Sequence, residues 1–251
     1  MEKENKEVKN NEQEIKKEDI KEENKMDIEE ENKKEPDNKE EKKDEEIKKI
    51  KKERKISELE KLIDYKYNDK GELLHKITKK KCGKLNQQEY DLVGLYVQCY
   101  VENLIITKFD LNILYVPNKS NNYLNRDETI PQCKILTTKD FSTNPKCLIL
   151  IQGTGVVRLG QWARSVCINE NLDLGTMIPY VDKAIKNNYS VIIMNPNERK
   201  DFKTEEEIEE FKTMESHSVY VYNNIIKKII ILKIFISLLI QEEVNVPLKF
   251  Y

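Results

Sequence analysis

Two short apolar runs, each ended by turn residues, mark the centre of the predicted fold. Residues 147–151 are apolar and lead into Gln152-Gly-Thr-Gly, and residues 191–194 are apolar and lead into Asn195-Pro-Asn. Short apolar runs bounded by such turns are typical of strands buried on both faces of a parallel sheet. Residues 178–185 between them have helical spacing, with Pro179 near the first turn and Val181, Ala184 and Ile185 on the apolar face. We therefore predict a βαβ unit.

A long amphipathic helix is predicted upstream, over residues 87–106. Six apolar and aromatic residues recur there at helical spacing and form one face that could dock on a sheet: Val93, Tyr96, Val97, Tyr100, Val101 and Leu104. No basic residue is interleaved with the tyrosines, which favours core packing over base stacking. Residues 57–63 are predicted to be helical, residues 67–71 to form a tight turn, and residues 111–116 to form a strand ended by Pro117.

The first 55 residues have a different composition. They contain 18 Lys and Arg and 21 Asp and Glu, and their few apolar residues form no sustained stripe. Such a segment buries too little apolar surface to offset its ordering entropy. We predict a disordered charged arm over residues 1–55 and one α/β domain over residues 56–251. The net charge of residues 56–251 is +1, which does not suggest a nucleic-acid-binding surface.

Two basic runs carry alternative readings. The run at residues 48–55 is either a nuclear-import signal or RNA-contact patch on an accessible arm, or a solvated charge run. For the run at residues 79–81, a solvated charge run is favoured over import or RNA contact.

The cysteines, histidines and longest apolar stretch indicate neither a metal site nor a membrane span. The five cysteines are widely spaced without a C-x-x-C pair, and neither His75 nor His217 lies at ligand spacing from two cysteines. We expect reduced thiols in an intracellular protein, no metal and no cofactor. Residues 229–240 are apolar but too short to span a bilayer and are interrupted by Lys233, so a buried strand with part of a helix is favoured over a membrane tail.

The turn at residues 152–155 leaves three interpretations open. A phosphate-binding P-loop requires longer spacing and a Lys-Ser/Thr pair, and a dinucleotide-binding turn requires a third glycine where this chain has Arg158. A strand that ends in a His-Gly-x-Gly-like turn is the place where α/β-hydrolases build their oxyanion hole. Glycines also permit such a turn without any catalysis.

Residues 148–164, 168–176, 178–179 and 191–197 closely resemble the Argonaute-binding-protein-type (Arb2-like) domain of the cotranscriptional regulator family, and the similarity extends over residues 62–226. The resemblance implies an α/β-hydrolase-like three-layer sandwich, here apparently truncated in its C-terminal half. It also implies a nuclear location, with the cytoplasm left open, and protein partners of the Argonaute, chromatin or splicing type. Direct RNA contact is left open, and no membrane partner is expected.

Two departures from the family pattern bear on catalysis. The family has His where this chain has Gln152, and it has an Ala-His-Ser-x-Gly-Gly elbow after the helix that contains residues 219–222. Here a predicted strand at residues 228–232 leads directly into a predicted helix at residues 233–241. A serine hydrolase needs Ser, Asp or Glu, and His in that order, and the last histidine, His217, comes too early. The alternative function is therefore an esterase-like serine hydrolase whose elbow is missing from this sequence.

The expected site is a binding surface without catalytic residues. Its first part is the equivalent of the oxyanion turn: Gln152, Gly153, Thr154 and Gly155. Its second part is a candidate binding loop: Arg158, Gln161, Trp162, Arg164 and Asn195. These residues should lie at the carboxyl edge of the sheet, where open α/β folds bind ligands. Trp162 is either an interface anchor or a core residue.

Overall fold

The computed structural model of the protein describes residues 56–229 and 234–239, together with Glu45. Apart from Glu45, the predicted arm and its basic run at residues 48–55 lie outside the described residues. The chain divides into two units after Lys49, and the architecture below is that of the second unit.

Six α-helices and seven strands make up the described part. The helices are α1 (Ile56–Leu62), α2 (Gln87–Phe109), α3 (Arg164–Asn169), α4 (Leu172–Gly175), α5 (Ile178–Lys186) and α6 (Met214–Asn224). The strands are β1 (Tyr65–Tyr67), β2 (Leu73–His75), β3 (Asn112–Val116), β4 (Cys133–Thr137), β5 (Lys146–Ile151), β6 (Ser190–Ile193) and β7 (Ile234–Leu239). Short 3₁₀ turns flank α6 at Glu209–Phe211 and Ile226–Lys228. The α/β class is confirmed.

A five-stranded mixed sheet forms the centre of the domain, in the order β3-β4-β6-β5-β7. Strands β5, β6 and β7 are parallel, whereas β4 runs antiparallel to β6 and β3 antiparallel to β4. The predicted βαβ unit is confirmed, because β5 and β6 are parallel neighbours joined through α3, α4 and α5. Leu148 on β5 lies opposite Val191 on β6 and Ile236 on β7. Strand β5 therefore has a neighbour on each side, which explains its continuous apolar run.

Both faces of this sheet are buried. On one face, Cys147, Ile149 and Ile151 join a core cluster with Phe211 and with Val221 of α6. Because side chains alternate along a strand, the residues between them face the other way, and Leu150 there is fully buried. Helix α5 packs beside β6, and α2 packs beside α5. Within α5, Val181 and Ala184 are buried as predicted, but Ile185 is exposed because it lies at the solvent side of the helix end.

Helix α2 is longer and more deeply buried than its sequence pattern predicts. A capping box between Asn86 and Glu89 starts it, and Asp110 in the left-handed conformation ends it. Leu92, Cys99 and Glu102 are buried although they lie off the predicted stripe. The prediction of one apolar face was therefore incomplete, because α2 is enclosed by α1, α3 and α5 rather than docked by one side. Glu102 is accommodated by an ion pair with Lys134 of β4 at 2.6 Å.

The C-terminal predictions require correction. Of the strand predicted over residues 228–232, only Lys228 and Ile229 are described, and Lys228 ends a 3₁₀ turn rather than starting a strand. Residues 230–233 lie outside the described residues. Residues 233–241 were predicted to be helical, yet Ile234–Leu239 is a strand paired with β5 along its whole length. Six residues, five of them apolar, are too few to distinguish a strand from a buried helix by pattern alone, and pairing with β5 satisfies the strand's backbone groups on that side.

A separate antiparallel hairpin, β1–β2, packs against α2. Its turn at residues 67–71 is confirmed: the Asn68 side-chain oxygen accepts the backbone N–H groups of Lys70 and Glu72. The ring of Tyr67 stacks on Tyr96 with centroids 6.2 Å apart, so the core role of this α2 tyrosine is confirmed. No helix within residues 56–229 and 234–239 is long and apolar enough to cross a membrane.

Candidate functional site

The turn that follows β5 lies at the carboxyl edge of the sheet, as predicted. Gln152 and Gly153 are buried, whereas Thr154 and Gly155 are exposed. Gly155 has a φ of +121°, a conformation that favours glycine, although a Cβ there would meet nothing within 4 Å. The Asn197 side chain donates a 2.7 Å hydrogen bond to the Gly153 carbonyl. The turn is thus fixed to the loop that follows β6.

A chain of buried polar groups runs beneath this turn. Gln152 Nε2 donates to Asn195 Oδ1 at 2.9 Å, and the Asn195 backbone N–H donates to His217 Nε2 at 3.3 Å. His217 Nδ1 lies 3.8 Å from Cys133 Sγ. All four residues are at most 2% exposed. Gln152 and Asn195 are therefore brought together, but as interior supports of the edge rather than as contact residues.

His217 is an uncharged member of this chain. Burial lowers the pKa of His217 to about 3, so its ring is neutral at physiological pH. Because Nε2 accepts a hydrogen bond, the ring proton belongs on Nδ1 and faces Cys133. The edge of the ring also packs against Phe211, with centroids 4.6 Å apart. His217 has the surroundings of a structural histidine.

The loop after the turn is held by contacts within itself and by helix α2. The Arg158 backbone N–H donates to Gln161 Oε1 at 3.1 Å, and the Gln161 N–H donates back to the Arg158 carbonyl at 2.9 Å. Gln161 is fully buried, and its Nε2 has no hydrogen-bond acceptor in the described part of the chain. At Gly160, φ is +82° and a Cβ would lie 2.4 Å from Ile105 Cδ1 of α2. Only glycine fits this close approach.

Arg158 also borders a cavity of about 230 Å³ at the same edge. Its Nη1 donates to the Val157 carbonyl at 3.0 Å, and its Nε lies 3.6 Å from Glu198 Oε2. The cavity wall also includes Glu198, Phe202 and Gln98 of α2. Arg158 therefore remains at the surface, with its charge turned towards Glu198.

Trp162 is half-buried at the edge of the site. Its backbone N–H donates to the Gly175 carbonyl at 2.8 Å, and its ring meets Tyr180 edge to face, with centroids 5.6 Å apart. Tyr180 is 40% exposed. The indole Nε1 is enclosed and finds no acceptor among residues 56–229. We call Trp162 and Tyr180 the aromatic pair.

Arg164 is directed away from this pair and into the interior. Its guanidinium lies 4.7 Å from the centre of the Tyr90 ring and 3.8 Å from Asp91, both on α2. A Cβ at Gly94 would lie 2.9 Å from its Nη1. Arg164 therefore joins α3 to α2 and belongs to the scaffold of the site.

The structure thus divides the predicted site residues into two groups. Thr154, Gly155, Arg158 and Trp162 reach the surface of the edge, whereas Gln152, Gly153, Gln161, Arg164 and Asn195 support it from within. Tyr180 and Asn197 also belong to the site and were not predicted as site residues. The Ile-Pro-Tyr and Asn-Pro-Asn strings at these positions marked a helix start and a turn, but neither pattern indicates a partner. No cluster of three His, Cys, Asp or Glu side chains suited to a metal occurs in the described ranges.

Comparison with known proteins relates the chain to one family. The model of the Arb2 domain matches residues 42–200, which is more than half of the chain. The chain is 40% identical over 135 residues to a "Cotranscriptional regulator ARB2A homolog" of Dictyostelium discoideum, covering 53% of this chain and 33% of that protein. It is 37% identical over 144 residues to human "Cotranscriptional regulator ARB2A", covering 54% of this chain and 33% of the relative. The chain thus spans about a third of the length of these relatives. No solved structure matches it.

Proposed function

The chain belongs to the Arb2 domain family, and on this premise we propose that it is a non-catalytic interaction domain that acts in cotranscriptional regulation in the nucleus. The names of its relatives support a regulatory role. The matched region covers 33% of each of these relatives. The role proposed here is therefore that of one domain within such a regulator.

The interaction domain has expected boundaries in the chain and expected partners. We propose that residues 56–251 form the interaction domain, with an α/β-hydrolase-like arrangement of the sheet and its helices, and that residues 1–55 form a charged arm. Its partners would be proteins of the Argonaute, chromatin or splicing machinery, encountered in the nucleus, with the cytoplasm as a second location. The turn at residues 152–155 would be the oxyanion turn of that arrangement, retained as a scaffold.

The aromatic pair is the observation that carries the interaction role. Trp162 and Tyr180 lie together, partly exposed, at the carboxyl edge where open α/β folds bind ligands. Aromatic residues of this kind dominate the energetics of many protein interfaces, with losses of about 2 kcal/mol or more on truncation. Arg158 lies in the same loop as Trp162 and is a partly exposed charged group paired with Glu198.

The surroundings of His217 and Ser218 support the absence of catalysis. A catalytic histidine must be able to accept a proton from the nucleophile, and burial lowers the pKa of His217 to about 3. The adjacent Ser218 hydroxyl donates to the Met214 carbonyl at 2.9 Å within helix α6. These two residues therefore make structural contacts rather than a nucleophile and base.

A pull-down with the full chain tests the proposal. An immobilised Trp162→Ala variant should retain less than about a tenth of the wild-type binding to a purified Argonaute protein of the same organism, as expected for loss of an interface anchor. The matched control is Ile185→Ala, which truncates a partly exposed side chain at the other end of α5. Wild-type binding by Trp162→Ala, with an unchanged melting curve, would exclude the aromatic pair as the interface.

A further inference from the structure

The β1–β2 hairpin and the loop after it concentrate positive charge. Residues 64–84 contain seven lysines against three acidic residues, whereas residues 56–251 as a whole carry a net charge of +1. The net charge of residues 56–251 is therefore close to zero although residues 64–84 are strongly basic. We call this segment the lysine hairpin. Its exposed lysines are Lys66, Lys70, Lys79, Lys80, Lys81 and Lys84.

The pairing of the hairpin directs part of this charge to solvent. Lys66 lies opposite Leu74, and Leu74 lies opposite Lys81 in an isolated bridge. Residues directly opposite one another project from the same face of a sheet, so Lys66 and Lys81 share one face. Tyr67 and Leu73 alternate with them and are buried against the domain. The face with the lysines is thus the outer one.

The loop that carries the remaining lysines is held in place. His75 Nδ1 accepts the backbone N–H groups of Ile77 and Thr78, and the His75 N–H donates to the Lys80 carbonyl at 2.9 Å. Lys76 Nζ donates to the Ile63 carbonyl at 2.6 Å and ties the loop to the end of α1. Little conformational entropy would therefore be lost in ordering this loop when a partner binds.

Most of the exposed charge is not neutralised locally. Within residues 56–229, the hairpin makes one ion pair, between Lys81 and Glu170 at 3.5 Å, in which both side chains are about half exposed. Over the same range, Lys66, Lys80 and Lys84 have no carboxylate within ion-pair distance. Their ammonium groups are available to an external anion.

The hairpin is fixed to the domain by hydrogen bonds to two short helices. The Leu172 N–H donates to the Gly71 carbonyl, and the Tyr67 hydroxyl donates to the Cys167 carbonyl. These contacts attach the hairpin to α3 and α4, which begin just after Trp162 in the chain.

We infer that the lysine hairpin binds the phosphodiester backbone of a nucleic acid. Lysine provides a compact point charge suited to phosphate oxygens, and backbone contacts need no base-reading groove. Ile77 is the one highly exposed apolar residue of the loop, which is too little apolar surface to anchor a membrane. The inference goes beyond the protein interface proposed above and does not depend on it.

Fluorescence anisotropy with the full chain tests this inference. The probes are a labelled 20-nucleotide single-stranded RNA and a labelled 20-base-pair DNA duplex, titrated between 50 and 200 mM KCl. The variant Lys66→Glu/Lys80→Glu/Lys84→Glu should bind at least about tenfold more weakly than wild type at 50 mM KCl. For the single-stranded RNA, the slope of log K against log salt concentration should also be smaller in magnitude by about 2, because each of the three lost phosphate contacts contributes about 0.7. The affinities for the two probes show whether the hairpin prefers the phosphodiester backbone of RNA or that of DNA.

A matched variant controls for the change in net charge. Lys119→Glu/Lys183→Glu/Lys212→Glu alters three exposed lysines elsewhere by the same total charge and should retain at least half of the wild-type affinity. Equal losses in the two triple variants would overturn the assignment, as would no loss in either, which would place binding elsewhere in the chain. Tighter binding to vesicles containing 30% phosphatidylserine, or to poly-glutamate, than to either nucleic acid would also overturn it. Trp162→Ala should leave nucleic-acid binding unchanged, which separates this inference from the protein-interface proposal.

Discussion

Replacing His217 by glutamine is expected to reduce the loss of stability of the folded domain between pH 7.5 and pH 5 by about 2 kcal/mol. In the native protein His217 is fully buried, and burial lowers its pKa to about 3. In an unfolded chain the pKa of histidine is about 6.5. The glutamine side-chain oxygen can accept the Asn195 N–H that His217 Nε2 now accepts, but glutamine does not titrate.

The magnitude follows from proton linkage. The folded state keeps His217 neutral down to about pH 3, whereas the unfolded state takes up a proton below about pH 6.5. The contribution of His217 to stability is therefore complete above pH 6.5 and is lost progressively as the pH falls towards 3. At pH 5, about 1.5 pH units below the unfolded pKa, the loss is about 2 kcal/mol, at roughly 1.36 kcal/mol per unit.

Urea denaturation at pH 7.5 and pH 5, followed by the fluorescence of the single Trp162, measures the effect. The free energy of unfolding of wild type should fall by about 2 kcal/mol more than that of His217→Gln between the two pH values. His75 and the carboxylates are common to both proteins and cancel in this comparison. If the variant is too unstable to melt, NMR should show that Nε2 of wild-type His217 stays unprotonated, and the ring neutral, to below pH 4. Equal pH dependence in the two proteins, or protonation near pH 6, would refute the reasoning.

Two further predictions concern the turns and the chemistry of the site. Gly160→Ala is expected to lose about 2 to 4 kcal/mol in urea denaturation, because φ is +82° and its Cβ would lie 2.4 Å from Cδ1 of the fully buried Ile105. Gly155→Ala, at a φ of +121° but with open space around it, should lose only the backbone strain, about 1 to 3 kcal/mol. A larger loss for Gly155→Ala than for Gly160→Ala would contradict this account. A fluorophosphonate probe is expected to leave the purified chain without a stoichiometric label, because the Ser218 hydroxyl is engaged with the Met214 carbonyl. Full labelling of one serine by mass spectrometry would show an activated nucleophile and support hydrolase activity.

The parts of the fold that were predicted from sequence are those with local patterns. Strands β5 and β6 are marked by apolar runs and following turns, and α5 by Pro179 and its spacing, so each is readable within about ten residues. The strand β7 was mistaken for a helix because its identity depends on pairing with β5, far away in the chain. The burial of Glu102 in α2 could not be read locally either, since its partner, Lys134, lies on β4.

The candidate site shows the same division. The edge position of the turn and of Trp162 follows from the strand–turn pattern and was predicted. The inward direction of Arg164 was not, because Tyr90 and Asp91 on α2 draw its guanidinium away from the surface. The aromatic pair was missed because Trp162 and Tyr180 are separated by two short helices whose packing sets their contact. Residue types alone do not specify such long-range contacts.

The place of β5 in the sheet also has a consequence during synthesis. Its partner on one side, β7, is about 80 residues further along the chain. At about 5 to 20 residues per second, β5 is made roughly 4 to 16 seconds before the residues that cover that edge. Through this interval an apolar strand presents unpaired backbone groups to the cytosol, as a template for pairing with other nascent chains. Strand β5 is paired on both sides in the finished sheet. Until β7 has been synthesised one of these sides is unpaired, and a chaperone that covered this side would prevent such pairing.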